Sequence, residues 1–185
     1  GIKLFMGSST GNMLVDREET LQKLFQEFPG MMALHCEDEL CIRQATEEAK
    51  QTYGNDIPFS KHPYIRSREA CIRSTAKAIS LAENGACHIH LMHISTAEEV
   101  DLIREAKKSN PRITAETCPN YLWFDERDYD RLMYKLKCNP AIKGVSDREA
   151  LLKAVQEGVI DTIGTDHAPH LLEEKQQNLV LIWMI

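Results

Sequence analysis

Val159-Ile160-Asp161-Thr162-Ile163-Gly164-Thr165-Asp166-His167-Ala168-Pro169-His170 is an apolar, strand-like run that ends in one carboxylate and two imidazoles. Pro169 stiffens the turn that carries them. A carboxylate at the C-terminal end of a strand, followed by a His-rich loop, is how a β/α barrel presents catalytic groups. Asp and His are also ligands that suit a divalent metal. Taken alone, the stretch reads equally as a loop with exposed histidines, so its meaning depends on what the rest of the chain brings to the same place.

Working outward, strand-like runs recur at Gly1 to Met6, Met31 to Leu34, Ala86 to Met92 and Ile113 to Thr117, with the last strand running to Thr165. Helical patterns separate them. Asp16, with Glu19 three residues on, caps a helix carrying Leu21, Leu24, Phe25 and Phe28, which Pro29-Gly30 stops. A polar helix runs to about Lys50, and a loop holds Gly54, Pro58 and Pro63. A longer helix starts at Arg66 or Ser67 and ends at Asn84-Gly85. Thr96 to Lys108 is helical, an irregular stretch holds a short helix near Glu126 to Leu132, and Ser146 caps a helix through Val155. Alternating strands and helices mean βα units and a parallel sheet. Right-handed crossovers then predict an α/β fold curled toward a barrel or an open doubly wound sheet; five strands in 185 residues would be a little over half of a (β/α)8 barrel of roughly 250 residues. No Gly-rich phosphate loop follows any strand, so a dinucleotide or P-loop site lacks its main signature.

Composition sets outer bounds. Hydrophobic residues make up 43% and charged residues 27%, a globular balance. A net charge of −6 without a basic cluster argues against a nucleic-acid partner, and no apolar run reaches membrane-spanning length. The six cysteines, at 36, 41, 71, 87, 118 and 138, form no CxxC pair and read as free thiols of a reducing cytoplasm. The chain starts without Met, and the apolar 178–185 string follows the polar Glu173 to Gln177 abruptly. We therefore expect residues 1–177 to form the barrel portion and 178–185 to be a truncated or frame-shifted tail.

The strand ends carry the chemistry. His35 ends the second strand, His93 the third and Asp166 the last, while Lys3 lies within the first. In a parallel barrel these ends share one rim, where two His and one Asp make a divalent metal site. An ammonium would repel a metal, but an apolar setting between Ile2 and Leu4 favours the neutral amine at Lys3. A neutral amine can add carbon dioxide and become a carbamate, an anionic bridge for two metals ~4 Å apart. Each residue alone has an ordinary reading: His35 as a core histidine, Lys3 as a surface lysine, Glu37 and Asp38 as helix-starting residues. His88 and His90 share a strand face opposite His93 and read as packing or supporting groups.

These stretches resemble a known family. Gly1-Ile2-Lys3-Leu4-Phe5-Met6, Leu34-His35-Cys36-Glu37, His62-Pro63-Tyr64-Ile65-Arg66-Ser67, Leu91-Met92-His93-Ile94-Ser95, Asn139-Pro140 and Thr165-Asp166-His167-Ala168-Pro169-His170 look like the cyclic amidohydrolases, and in order and spacing most like the dihydroorotase family. The resemblance reaches to about Gln177. It implies strands four to eight of a barrel and two zinc ions bridged by carboxylated Lys3. His35, His93 and Asp166 would be further ligands, with Asp166 also the proton shuttle. It further implies that Asn139 and His170 touch a small-molecule substrate, and that Ser9 and Thr10 offer hydroxyls from a closing loop. The implied reaction interconverts dihydroorotate and N-carbamoyl-L-aspartate in pyrimidine biosynthesis, with a homodimer allowed for the intact protein. Hydantoinases, dihydropyrimidinases and allantoinases share the metal residues and remain alternatives. The His-x-His pair and the following Arg that the family carries on strand one have no counterpart here. The chain by itself is therefore expected to be inactive, and a non-catalytic subunit or fragment is the reading from another class.

Overall fold

The computed structural model describes residues 1–7, 14, 15, 17–83, 85–177 and 179. Five strands, β1 (Ile2–Phe5), β2 (Met31–His35), β3 (His88–Leu91), β4 (Ile113–Thr117) and β5 (Thr162–Ile163), pair in sequence order. Every pairing is parallel, so each connection is a crossover. The crossovers hold α1 (Glu18–Glu27), then α2 (Glu39–Tyr53), α3 (His62–Ile65) and α4 (Arg68–Glu83), then α5 (Ala97–Ser109). Between β4 and β5 lie α6 (Pro119–Trp123), α7 (Tyr129–Leu132) and α8 (Val145–Gln156), and α9 (Leu172–Lys175) follows β5. This is the parallel α/β architecture expected of a partial barrel. No helix among the described residues is long and apolar enough to cross a membrane.

Side-chain alternation along the strands gives the sheet two unlike faces. Leu4, Met32, Leu34, Ile89, Leu91, Ile113 and Ala115 are all buried, in one core with Leu21 and Phe25 of α1, Ile79 of α4, Ile103 of α5 and Leu151 of α8. The alternate positions, Lys3, Met31, His88, His90, Thr114 and Glu116, are exposed or half-buried. Register aligns Lys3 with Ala33, Ala33 with His90, and His90 with Thr114. Parallel sheets normally have both faces covered. Here the second face carries polar groups that bond to one another, with the His90 ring nitrogens 2.9 Å from Thr114 Oγ1 and 3.3 Å from Glu116 Oε2.

Local chemistry explains most element boundaries. Thr96 and Glu99 form a reciprocal capping box at the start of α5, and Ser67 Oγ accepts the Ala70 N–H at 3.2 Å to start α4. Gly7, two residues past β1, has no room for a side chain, because a Cβ there would lie 1.6 Å from the Glu37 carbonyl oxygen. Several expectations need correction. Asp16 and Asn84 lie outside the described residues, and the N-cap position of α1 is Arg17, whose side chain makes no capping bond. Pro63 sits in the first turn of α3 and Pro119 in that of α6, where a missing N–H costs nothing. Both prolines open short helices inside segments read as irregular.

Ser146 does not cap α8. The N-cap is Gly144, whose N–H donates to Asp147 Oδ2 at 3.0 Å. The last strand is shorter than read, because Val159 and Ile160 donate their N–H groups back to Ala154 O at 2.9 and 3.2 Å. They finish α8 instead, past Gly158 in the left-handed region at φ 72°. Of the 178–185 string, Asn178 and Val180 to Ile185 lie outside the described residues, while Leu179 is buried with Ile42, Ala49, Ile57 and Ile65.

The two-faced sheet sets a measurable contrast. Leu34, with no exposure, should lose about 2–5 kcal/mol of stability on Leu34→Ala. Leu40 on α2 is 65% exposed, and Leu40→Ala should stay within about 0.5 kcal/mol. Urea unfolding followed by circular dichroism checks both.

Candidate active site

The C-terminal strand ends open on a cavity of about 480 Å³ whose lining includes Lys3, His35, His93, Asn139, Asp166 and His170. These are six of the residues singled out from sequence; the other two, Ser9 and Thr10, lie outside the described residues. His93 and Asp166 both adopt left-handed backbone, at φ 42° and 43°. For residues with a Cβ this costs about 1–3 kcal/mol and persists only where the surroundings hold it. Both residues lie just past a strand end, of β3 and β5, and both line the cavity.

His35 and His93 meet edge to face, with His35 Nδ1 2.9 Å from His93 Nε2. Burial, reinforced by His35 and Lys3, holds the His93 imidazole well below its ordinary value. The apolar setting expected for Lys3 is replaced by a polar one. Leu4 turns to the helix-covered face, while Lys3 Nζ lies 3.3 Å from Asp166 Oδ1 and 5.0 Å from the centre of the Phe5 ring. Among the described residues, no three His, Cys, Asp or Glu side chains are placed to hold a metal ion together. The donors nonetheless suit a divalent cation in kind: two imidazole nitrogens face each other on the wall of a cavity that a carboxylate also lines.

Behind this wall lies a group that the sequence reading misassigned. Glu37 is fully buried, and its Oε2 accepts from His35 Nε2 at 3.0 Å and from the Arg66 guanidinium. Burial opposes its charge, but Arg66, His35 and Lys143 together hold its carboxyl well below the usual carboxylate range. Asp38 alone starts α2, accepting the Cys41 N–H at 2.9 Å. The signal for Glu37 was its place two residues after His35, which puts both side chains on one side of an extended chain. His62, also fully buried, directs Nε2 at Cys138 O, 2.8 Å away.

Elsewhere in the lining, Asn139 presents a buried Oδ1 with no hydrogen-bond partner, and His170 Nδ1 lies 3.8 Å from Glu174 Oε2. Lys137 also lines the cavity, where burial and Arg66 push its ammonium down to about 8. Two cysteines also line the cavity, but burial raises the Cys118 thiol to about 12 and the Cys138 thiol to about 11. Neither is a thiolate nucleophile at neutral pH. His88 is exposed and His90 is engaged with Thr114 and Glu116, so neither reaches the His35–His93 pair.

No protein-family model matches the chain. It is 47% identical over 151 residues to a dihydroorotase of Bacillus licheniformis, covering 80% of this chain and 33% of that protein. It is 32% identical over 188 residues to an allantoinase of Bacillus velezensis, covering 99% and 41%. Among solved structures, a dihydropyrimidinase from Brevibacillus agri superposes with a TM-score of 0.86 at 26% identity, covering 97% of this chain and 40% of that one. The chain thus spans well under half the length of the curated relatives it matches.

His62 gives the site a pH signature. Burial first, then Lys137 and Arg66, push its imidazole from the ordinary 6.5 down to about 3. Between those values the unfolded chain binds the extra proton, so stability falls as pH drops through this window and is undiminished above it. Replacing His62 with Gln, which does not titrate, should flatten that part of the stability curve. Urea midpoints measured from pH 7 to pH 4 check the slope.

Proposed function

The chain belongs to the cyclic amidohydrolases, and on that premise we propose that the protein carrying it is a zinc-dependent dihydroorotase of pyrimidine biosynthesis. The observation that carries this reading is the meeting of His35 Nδ1 and His93 Nε2 at 2.9 Å on the wall of a cavity that Asp166 also lines. The 47% identity to a dihydroorotase supports the choice of ring. Six free cysteines are consistent with a cytoplasmic location.

Two zinc ions held by His35, His93, Asp166 and a carbamate on Lys3 would supply hydroxide near neutral pH and polarise the ring carbonyl. The carbamate forms when the Lys3 amine adds carbon dioxide and releases a proton. Asp166 accepts the proton of the attacking water and passes it to the ring nitrogen as the C–N bond opens, a base turned acid. In the closing direction the same carboxylate takes the proton from the carbamoyl nitrogen and returns it to the departing water. Asn139 has a free acceptor for a ring N–H, and His170 supplies a donor to the substrate carboxylate.

The allantoinase likeness keeps one second reading in play, the same hydrolysis on a hydantoin-type ring. Comparing hydrolysis of dihydroorotate, hydantoin and allantoin by the full-length protein separates the two. We expect dihydroorotate to lead in kcat/KM by roughly 100-fold or more; a lead for either other ring overturns the assignment. Asp166→Ala should lower kcat about 10²- to 10⁴-fold in preparations whose zinc content is unchanged by elemental analysis. Near-normal turnover in that variant would remove Asp166 from the proton path.

A further inference from the structure

The stretch His62 to Arg66 has no role in the reaction just described, yet both of its ionisable nitrogen side chains, His62 and Arg66, are nearly sealed from solvent. His62 has no exposure and Arg66 is 3% exposed. They lie one helical turn apart, with Arg66 N–H donating to His62 O at 2.8 Å across α3. From that single turn they reach two separate parts of the cavity lining, Cys138 directly and His35 through Glu37. We propose that α3 is a two-ended positioning element, in which His62 sets the Cys138–Asn139 segment on the substrate side and Arg66, through Glu37, orients His35 on the other.

The His62 end rests on a clamp. A carbonyl only accepts, so the His62 nitrogen facing Cys138 O carries the proton, and Nδ1 is left buried without a partner. Two tyrosines continue the grip along the same segment. Tyr121 OH donates to Pro140 O at 2.7 Å, and the Ile142 N–H donates to Tyr129 OH at 3.0 Å. The Tyr129 ring stands edge to face against His62 at 6.2 Å. Asn139 lies between two held carbonyls, Cys138 and Pro140, and keeps its Oδ1 open.

The Arg66 end rests on acceptor chemistry. Glu37 is paired with the Arg66 guanidinium, and a carboxylate in such a pair accepts without donating. The His35 nitrogen facing it, Nε2, therefore holds a proton. In the neutral ring this leaves Nδ1 bare, and Nδ1 is the atom aimed at His93 and the cavity. An ion pair buried this deeply contributes little net stability over apolar packing. A carboxylate behind an imidazole instead fixes tautomer and ring orientation.

The kinetic part of the test rests on the proposed hydrolase reading; the spectroscopic part does not. In the full-length protein, Glu37→Gln removes the fixed acceptor, because an amide can present either oxygen or NH2 to His35. It should weaken zinc affinity about 10- to 100-fold, with KM for dihydroorotate unchanged at saturating zinc. His62→Gln places an amide nitrogen near the original Nε2 and should behave as wild type. His62→Asn cannot reach Cys138 O. It should raise KM about tenfold, the loss expected of one hydrogen bond, with zinc affinity unchanged.

Long-range 15N–1H correlation spectra of the metal-free protein at pH 8 should show His35 protonated at Nε2 in wild type and a mixture of tautomers in Glu37→Gln. Amide exchange across Cys138 to Ile142 should quicken in His62→Asn alone. The proposal is overturned if wild-type His35 carries its proton on Nδ1. It also fails if the Gln and Asn variants of His62 exchange alike, or if losses at both ends track the thermal midpoint. Absence of dihydroorotate turnover with these spectra intact would reject the substrate assignment and leave the positioning role standing.

Discussion

The structure depends on one buried carboxylate. Glu37 sits at the point where β2 turns into α2, with no exposure to water and with Arg66 and His35 sharing one of its oxygens. A lone carboxylate there would be protonated or would drag water inward, because burial strongly disfavours an isolated charge. The guanidinium from the end of α3 keeps it ionised, so the carboxylate can only accept. That constraint passes outward to His35, then to His93, and so to the wall of the cavity. The same group joins the second crossover to the rim of the sheet, so local folding of α3 and the geometry of the site are not independent.

The parallel sheet supplies the other half of the geometry. Because all five strands run the same way, their C-terminal ends gather at one rim, and His35, His93 and Asp166 arrive there from separate crossovers. Strand ends alone do not aim side chains. His93 and Asp166, which line the cavity, adopt left-handed backbone, and hydrogen-bonded neighbours flank them. β3 lies hydrogen-bonded between two strands, and Gly164 N–H is tied to Thr117 O at 3.0 Å. Strain at these two residues is sustained by packing distributed over the whole sheet.

Lys3 stands apart from that rigid arrangement. It lies on β1 at the edge of the sheet, on the face the helices leave open, with its side chain 38% exposed and within reach of Asp166. The uncovered face mixes polar groups, from Lys3 across His90 to Glu116, with Ala33 and an exposed Met31, and so differs from the apolar face that the helices cover.

Much of this was legible in the residues. Apolar strand-like runs alternating with helical patterns pointed to a parallel α/β sheet with His35, His93 and Asp166 at or just past its strand ends, because side-chain period and crossover handedness are local rules. Pro63 and Pro119 were misread because proline marks a break or a first helical turn, and the sequence around it does not say which. Val159 and Ile160 were misread as strand because an apolar run fits a strand or the close of a helix equally. What tertiary structure alone decided was where the buried charges went. Glu37 looked like the start of a helix and His62 like part of a loop, since pairing with Arg66 across 29 residues and with Cys138 across 76 leaves no trace in local pattern. Sequence periodicity states which face a side chain takes; only the packed fold brings a partner to it, and for a buried polar group the partner determines its chemistry.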